Sequence, residues 1–439
     1  MRLLGPLRER DFALLWGGMF VSLLGDGIYL VALPFAVLDL SGSATTLSLV
    51  GLAWSIGMVG FLLAGGLLAD RYDKRRQLLI ADLVRLLAVG AVGVLSLSGA
   101  LEIWQLIVLS FVFGAGEGLS GPALGSIIPE LVPESILVQA NSLAQSLRPV
   151  GLRLAGPALG GLAVALLDTG GALLVDAGTF AISIVCLLAM RARPPVHDEE
   201  HEPLLVQMRE AAGFVRSQTW LWATLVMAAL ALLLFLGPTE VLLPYRLQQD
   251  LEATAGSFGL VLSVGGAGAL VGTVAIGHFG IPRREVTFLY WVWGVATFAL
   301  CGYALADHVW QMVACSFLFG ILSGAGNPVW ATLMQVRVPP ALRGRVSSLD
   351  WLVSVGLTPV SFALTGPAAA AFGAGTVLLV AGALGGVAII ALLYVIPGLR
   401  AEDGGVARAT EAAADAAGPA APGGPQRPSS DPRSSVNVG

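Results

Sequence analysis

Charge is scarce in this sequence. Asp, Glu, Lys and Arg together fill 12% of the 439 positions, roughly half the share usual in a soluble domain. With 56% hydrophobic residues and a mean hydropathy of +0.81, water is excluded as the main solvent. Dense basic patches are also missing: 24 basic residues are scattered along a chain of net charge -5, so no nucleic-acid partner is expected. The three cysteines, Cys186, Cys301 and Cys315, are odd in number and lie inside apolar runs, which argues against a disulfide framework and a zinc site. Histidine occurs four times. His197 and His201 flank Asp198, Glu199 and Glu200, a group read as a solvated turn in preference to a weak metal site. No GxSxG, HExxH or phosphate-binding loop is present, so neither an enzyme nor a cofactor or metal is expected. The basic start, MRLLGPLRERDF, leads into an apolar stretch that exceeds a signal-peptide core and holds Asp26, so it is read as a retained first helix.

Long apolar runs, by contrast, are abundant. A membrane-spanning helix needs about 20 apolar residues. Such windows fall near 13–37, 44–69, 77–98, 103–127, 140–166 and 170–190, then near 220–244, 255–279, 286–305, 309–333, 346–371 and 374–397. Arginine and lysine fall almost wholly in alternate loops; only Arg246 lies on the opposite side, and the loop near 129–139 carries Glu130 and Glu134 with no base. The positive-inside rule then puts both termini in the cytoplasm, and the plasma membrane of a cell is the expected location. A shift of 206 residues aligns 104–143 with 310–349 without a gap, matching Trp104 with Trp310, Gln105 with Gln311, Gly114 with Gly320 and Pro122 with Pro328. The fourth span thus repeats as the tenth, as two parallel six-helix halves require. The fold expected is an all-α integral membrane protein of twelve transmembrane helices. Its parts are an N-terminal half (1–191), a linker with an interfacial helix (192–219), a C-terminal half (220–398) and a disordered tail (399–439).

Ionisable residues inside spans cost about 2.5 to 3.5 kcal/mol each on insertion scales and are usually kept for function. Asp26 lies in span one, Glu117 in span four, and Arg148 and Arg153 in span five. At 100° per residue, Arg153 falls within about 20° of Gly160 on the packing face. Asp26 and Glu117 are read as a proton-linked pair with Arg153 as switchable partner; a static ion network that fixes helix packing is the alternative. Asp176 and Glu240, placed near the outer ends of their spans, and Asp82 and Arg85, placed near an inner end, are expected to be satisfied by water or headgroups.

The loop after span two reads GGLLADRYDKRR, and span five contains GPALGG. Gly156 and Gly160 lie one turn apart, so a neighbouring helix can approach, and Pro157 removes a backbone donor. The first motif resembles the signature loop of the major facilitator superfamily, with Gly66, Asp70, Arg71, Lys74, Arg75 and Arg76 in matching positions; Asp73 stands where the general pattern often has Gly. The second, at Gly156, Pro157, Gly160 and Gly161, resembles the GPxxGG antiporter motif. With a Gly-Asp pair in span one, IADLVR in span three and PELVPE after span four, the chain resembles the branch of macrolide-efflux proteins and enterobactin exporters. The resemblance implies a monomeric, bacterial secondary transporter that expels a small hydrophobic or amphipathic compound against inward protons by alternating access. It also implies that Asp70 braces the start of span eleven near Gly344 and that the bases pair across a cytoplasmic gate, although such bases also serve to fix topology. A proton-coupled importer and a transport-inactive sensor are the rival readings.

Overall fold

A bilayer offers no partner to an unpaired backbone N–H or C=O, so apolar runs of this length must close their hydrogen bonds within themselves as helices. The computed structural model describes residues 4–71, 73–191, 204–340 and 342–408, and only the backbone of 63, 67, 69–71 and 204–207. Every element among the described residues is helical. In chain order the spans are α1 (Arg10–Ser41), α2 (Ala44–Arg71), α3 (Lys74–Leu97), α4 (Ile103–Leu131), α5 (137–167) and α6 (169–189). The second set is α7 (Thr219–Asp250), α8 (Ala255–Phe279), α9 (Glu285–Leu305), α10 (Val309–Arg337), α11 (Arg343–Phe372) and α12 (Ala374–Val395).

By length and apolarity the described residues show 11 helices able to cross a membrane, one of them running from Glu134 to Ala189. That helix is two spans. Gly151, Gly156 and Gly160 lie in turn against Leu23, Gly27 and Ile28, so α5 runs parallel to α1. Thr179 and Ser183, however, lie against Gly25 and Gly18, so α6 runs antiparallel to it. The chain reverses at Asp168, whose φ of 60° and ψ of 176° break the helix. Twelve spans result.

The internal repeat has a physical basis. Gln105 and Gln311 each close a capping box, the side chain accepting from the backbone N–H of Glu102 at 2.8 Å and of His308 at 3.1 Å. Gly114 and Gly320 each face a carbonyl oxygen, of Trp54 and of Gly265, so close that an added Cβ would lie 2.0 Å away. Within lipid, such contact between small residues holds helices together, because hydrocarbon gives apolar side chains little reason to leave it.

The buried apolar residues reveal how the halves meet. We call the face bearing Arg10, Lys74 and Arg337 the basic end. At the opposite, far end one cluster runs through both halves, joining Val31, Val50 and Phe180 to Leu242, Phe258 and Phe362. At the basic end there are two clusters, one around Phe12, Leu78 and Ile127 and another around Trp220, Tyr290 and Leu333. The halves are therefore sealed at the far end and separately cored at the basic end. Ser48 Oγ donates to the Phe362 carbonyl and accepts from Gly366 N–H at 3.0 Å, and Gln248 donates to Asp39 at 2.6 Å.

Residues 192–203 of the linker lie outside the described residues. Its helix, Leu204–Ser217, buries Ala211 and Val215 and pairs Glu210 with Arg345 of α11. The tail differs from expectation over its first ten residues. Asp403 caps α9, accepting from Val286 N–H at 2.9 Å and Thr287 N–H at 3.0 Å, while Glu285 accepts from Gly404 N–H and Val406 N–H. Glu402 pairs with Arg337, whose guanidinium lies 4.6 Å from the Trp220 ring centre. Orphan helix-end donors give this polar segment a fixed place despite its lack of a core. Residues 409–439 lie outside the described residues.

Candidate functional site

Buried charge collects in the N-terminal half. Asp82 and Arg85 sit one turn apart on α3, so their side chains share a face. Arg85 Nη2 donates to Asp82 at 2.6 Å, and Ser183 of α6 donates to the other Asp82 oxygen, also at 2.6 Å. Arg85 Nη1 lies 3.7 Å from Asp26 Oδ2, and its guanidinium stacks 4.4 Å from the Phe180 ring centre. One guanidinium thus serves two carboxylates, closely the first and loosely the second. Asp26 Oδ1 has no hydrogen-bond partner among the described residues.

Asp26, Asp82, Arg85, Glu117 and Arg148 line one cavity of about 70 Å³ between α1, α3, α4, α5 and α6. A drug-sized compound needs roughly 300 Å³ or more, whereas a few water molecules at about 30 Å³ each fit here. The cavity therefore has room for water but not for a whole drug-sized compound. Of the groups that line the cavity, three carboxylates face two guanidiniums, leaving one negative charge that a proton on a lining carboxylate would cancel. Glu117 also accepts from the Trp54 indole at 3.0 Å, and the Trp54 ring meets Phe362 of the other half edge-on at 6.1 Å. That chain of contacts runs from the charge site to the seal between the halves.

The sequence-level grouping of Asp26, Glu117 and Arg148 meets in this cavity, but Arg153 does not join it. Residues 148–155 form a π-helix, whose wider turn rotates side chains by less than the 100° assumed for an α-helix. Arg153 turns instead toward the C-terminal half, where its Nη1 lies 3.9 Å from Glu240 Oε1. Asp82 and Arg85, expected among water or headgroups, are buried, and Asp176 is fully so, against Gly25. Their i,i+3 spacing and opposite signs were the sequence signal for Asp82 and Arg85, since paired charges can enter a span that a lone one cannot.

GPALGG faces two ways. An added Cβ at Gly156 would lie 2.7 Å from Gly27 Cα, and one at Gly161 would lie 2.9 Å from Gly256 Cα of α8. The motif therefore packs α5 onto α1 within its own half and onto α8 across the interface.

The family model of the Major Facilitator Superfamily matches residues 15–349 and 239–428. This chain belongs to the major facilitator superfamily. Among its superfamily relatives, the multidrug efflux pump Tap of Mycolicibacterium fortuitum is 29% identical over 385 residues, covering 84% of this chain and 90% of that protein. Macrolide efflux protein A of Streptococcus pyogenes is 24% identical over 392 residues, covering 88% and 95%. The enterobactin exporter EntS of Citrobacter koseri is 30% identical over 357 residues, covering 79% and 82%. In fold, the chain is similar to a bacterial homologue of the lysosomal transporter Spinster in an inward-facing state, with TM-score 0.66 and 14% identity over 92% of this chain and 98% of that one.

The superfamily's signature loop is placed at the α2–α3 turn. Gly66 and the backbone of Asp70 and Arg71 end α2; the side chains of Asp70 and Arg71, and so the brace at Gly344, lie outside the described residues. Lys74 pairs with Glu130, Arg75 donates to the Leu187 carbonyl at 2.6 Å and the Leu188 carbonyl at 2.8 Å, and Arg76 lies 3.8 Å from Asp73. In this arrangement these three bases bind within their own half.

Proposed function

We propose that the chain is a secondary transporter that exports small hydrophobic or amphipathic compounds by proton antiport with alternating access. Its relatives' efflux of drugs, macrolides and enterobactin supports the direction. The observation that carries the coupling is the unequal charge count around the 70 Å³ cavity. A proton on Asp26 or Glu117 balances the site, and its departure restores one negative charge, which strengthens the pull on Arg85 and Arg148. Burial makes that difference large.

Motion follows from where those groups sit. Glu117 holds Trp54, and Trp54 abuts Phe362, so a change of charge at Glu117 bears on the far-end seal. Placing the basic end in the cytoplasm makes the present arrangement inward-facing, with the cavity reachable by protons and the space between the halves by cargo. In this reading the protein acts as a monomer in a bacterial plasma membrane, with both termini inside.

The test is accumulation of a panel of lipophilic dyes and antibiotics in an efflux-deficient host. Wild type should lower accumulation, an uncoupler should abolish the effect, and Asp26→Asn and Glu117→Gln should resemble the empty host. Equal accumulation in wild-type and empty cells across the panel would remove the export reading.

A further inference from the structure

An ion pair joins the two halves, Arg153 of α5 with Glu240 of α7 at 3.9 Å. Both partners lie on π-helical turns, 148–155 and 238–242, each with proline in its first positions. Such turns inside transmembrane helices are costly to form and recur at functional sites. Their backbones are clamped. An added Cβ at Gly266 of α8 would lie 2.3 Å from the Arg153 carbonyl oxygen, and Gly237, just before the Glu240 turn, donates its N–H to Ser361 of α11 at 2.8 Å.

The side chains are less confined than the backbones. The Arg153 side chain is 56% exposed and that of Glu240 28%, and 3.9 Å is long for a charge-assisted bond, which prefers about 2.7 to 2.9 Å. Arg153 stands level with Asp26, since Gly151 lies against Leu23 and Gly156 against Gly27. The pair therefore sits where the separately cored basic ends give way to the joined far-end core. A compound that entered between the halves from the basic end would meet the pair where the two cores join.

We propose that Glu240 is a binding site for organic cations, at which a positively charged cargo displaces Arg153 and so unlocks the far-end seal. The inference rests on the alternating-access reading and adds to it a cargo chemistry and a trigger. Arg153 acts as an internal stand-in for the cargo. It neutralises Glu240 while the site is empty and ties the halves together by the same contact. An amine or other lipophilic cation that takes its place satisfies the carboxylate without bridging the halves. Neutral cargo leaves the lock closed.

The probe is tetraphenylphosphonium, a lipophilic monovalent cation, used on purified full-length protein with Cys186, Cys301 and Cys315 replaced by Ser and with Thr45→Cys, a far-end position where Thr45 Oγ1 donates to the Gly366 carbonyl of the other half at 3.3 Å. Two quantities are read: probe binding, and labelling of position 45 by a membrane-impermeant maleimide. In the parent protein the probe should bind and raise labelling. Glu240→Gln, an isosteric change, should weaken binding about tenfold, the equivalent of one lost charge contact, and raise labelling without probe. Arg153→Ala should raise basal labelling while binding the probe more tightly. The charge exchange Arg153→Glu with Glu240→Arg should return basal labelling to the parent level, a result that a folding defect would not give. Binding by Glu240→Gln equal to the parent's would overturn the proposal. If the parent expels dye from cells while that equality is found, the site falls and the export reading stands; cation-dependent labelling without any dye export would sink the export reading alone.

Discussion

Arg85 shows what a buried charge demands of its neighbours. Its guanidinium is 8% exposed, and its contacts to Asp82 at 2.6 Å and Asp26 at 3.7 Å are unequal. Removing one partner of a buried pair leaves the other uncompensated, at a cost of about 3 to 5 kcal/mol. Arg85→Gln should therefore lower the unfolding temperature in detergent sharply, and adding Asp82→Asn should recover part of the loss because no lone charge is left behind. An Arg85→Gln protein that melts like wild type would show that the α3 charges are not a structural unit. Asp26→Asn should melt almost unchanged, since its contact is the loose one, yet lose proton-driven transport. Asp82 and Asp26, alike as acidic residues within spans, thus differ in how tightly Arg85 holds them. Asp26, Glu117 and Arg148 were legible as costly residues within spans. Arg153 was misplaced because a π-helical turn is invisible to a fixed 100° rotation.

Among the elements, the segment 399–408 is the least predictable from composition. It lacks an apolar run, yet it buries Leu399, caps α9 through Asp403 and binds Arg337 through Glu402. Ending the chain after Gly398 should cost about 1 kcal/mol for the lost cap alone, plus the Arg337 pair, and lower the unfolding temperature. A chain ended at Arg408 should match the full length. Thermal unfolding of the two truncations decides it, and equal melting of both would contradict the clamp. The spans themselves were readable because hydropathy over about 20 residues reports the bilayer directly. Their partners were less so, apart from close-packing positions such as Gly156, where the Gly/Pro pattern announced a near neighbour and the structure supplies Gly27. The tail's place depended on orphan N–H groups at the start of α9, which no local pattern in the tail reveals.

For the whole molecule, one core is joined at the far end and two lie apart at the basic end, so the proposed alternating access requires the far-end contacts to part. Asp39 and Gln248 touch there across the halves at 2.6 Å. With the native cysteines replaced, Asp39→Cys and Gln248→Cys joined by a short bifunctional thiol reagent should stop export, and each single variant treated alike should retain it. Undiminished export by the joined protein would mean that the halves need not separate there. The twofold plan was legible from the 206-residue repeat, because matched capping boxes and helix contacts preserve Gln105 with Gln311 and Gly114 with Gly320. Which end is closed depends on contacts between distant spans and was not.

In the proposed antiport, a proton exchanges at the unequal charge cluster of Asp26, Asp82, Arg85, Glu117 and Arg148 as cargo moves. It is tested most directly in proteoliposomes that hold a pH-sensitive dye, by imposing a gradient of an exported compound and recording the internal pH. The account predicts a cargo-driven pH change with wild type, none with Asp26→Asn, and none with Glu117→Gln. Cargo movement by wild type with no pH change, or an undiminished pH change with both variants, would contradict it.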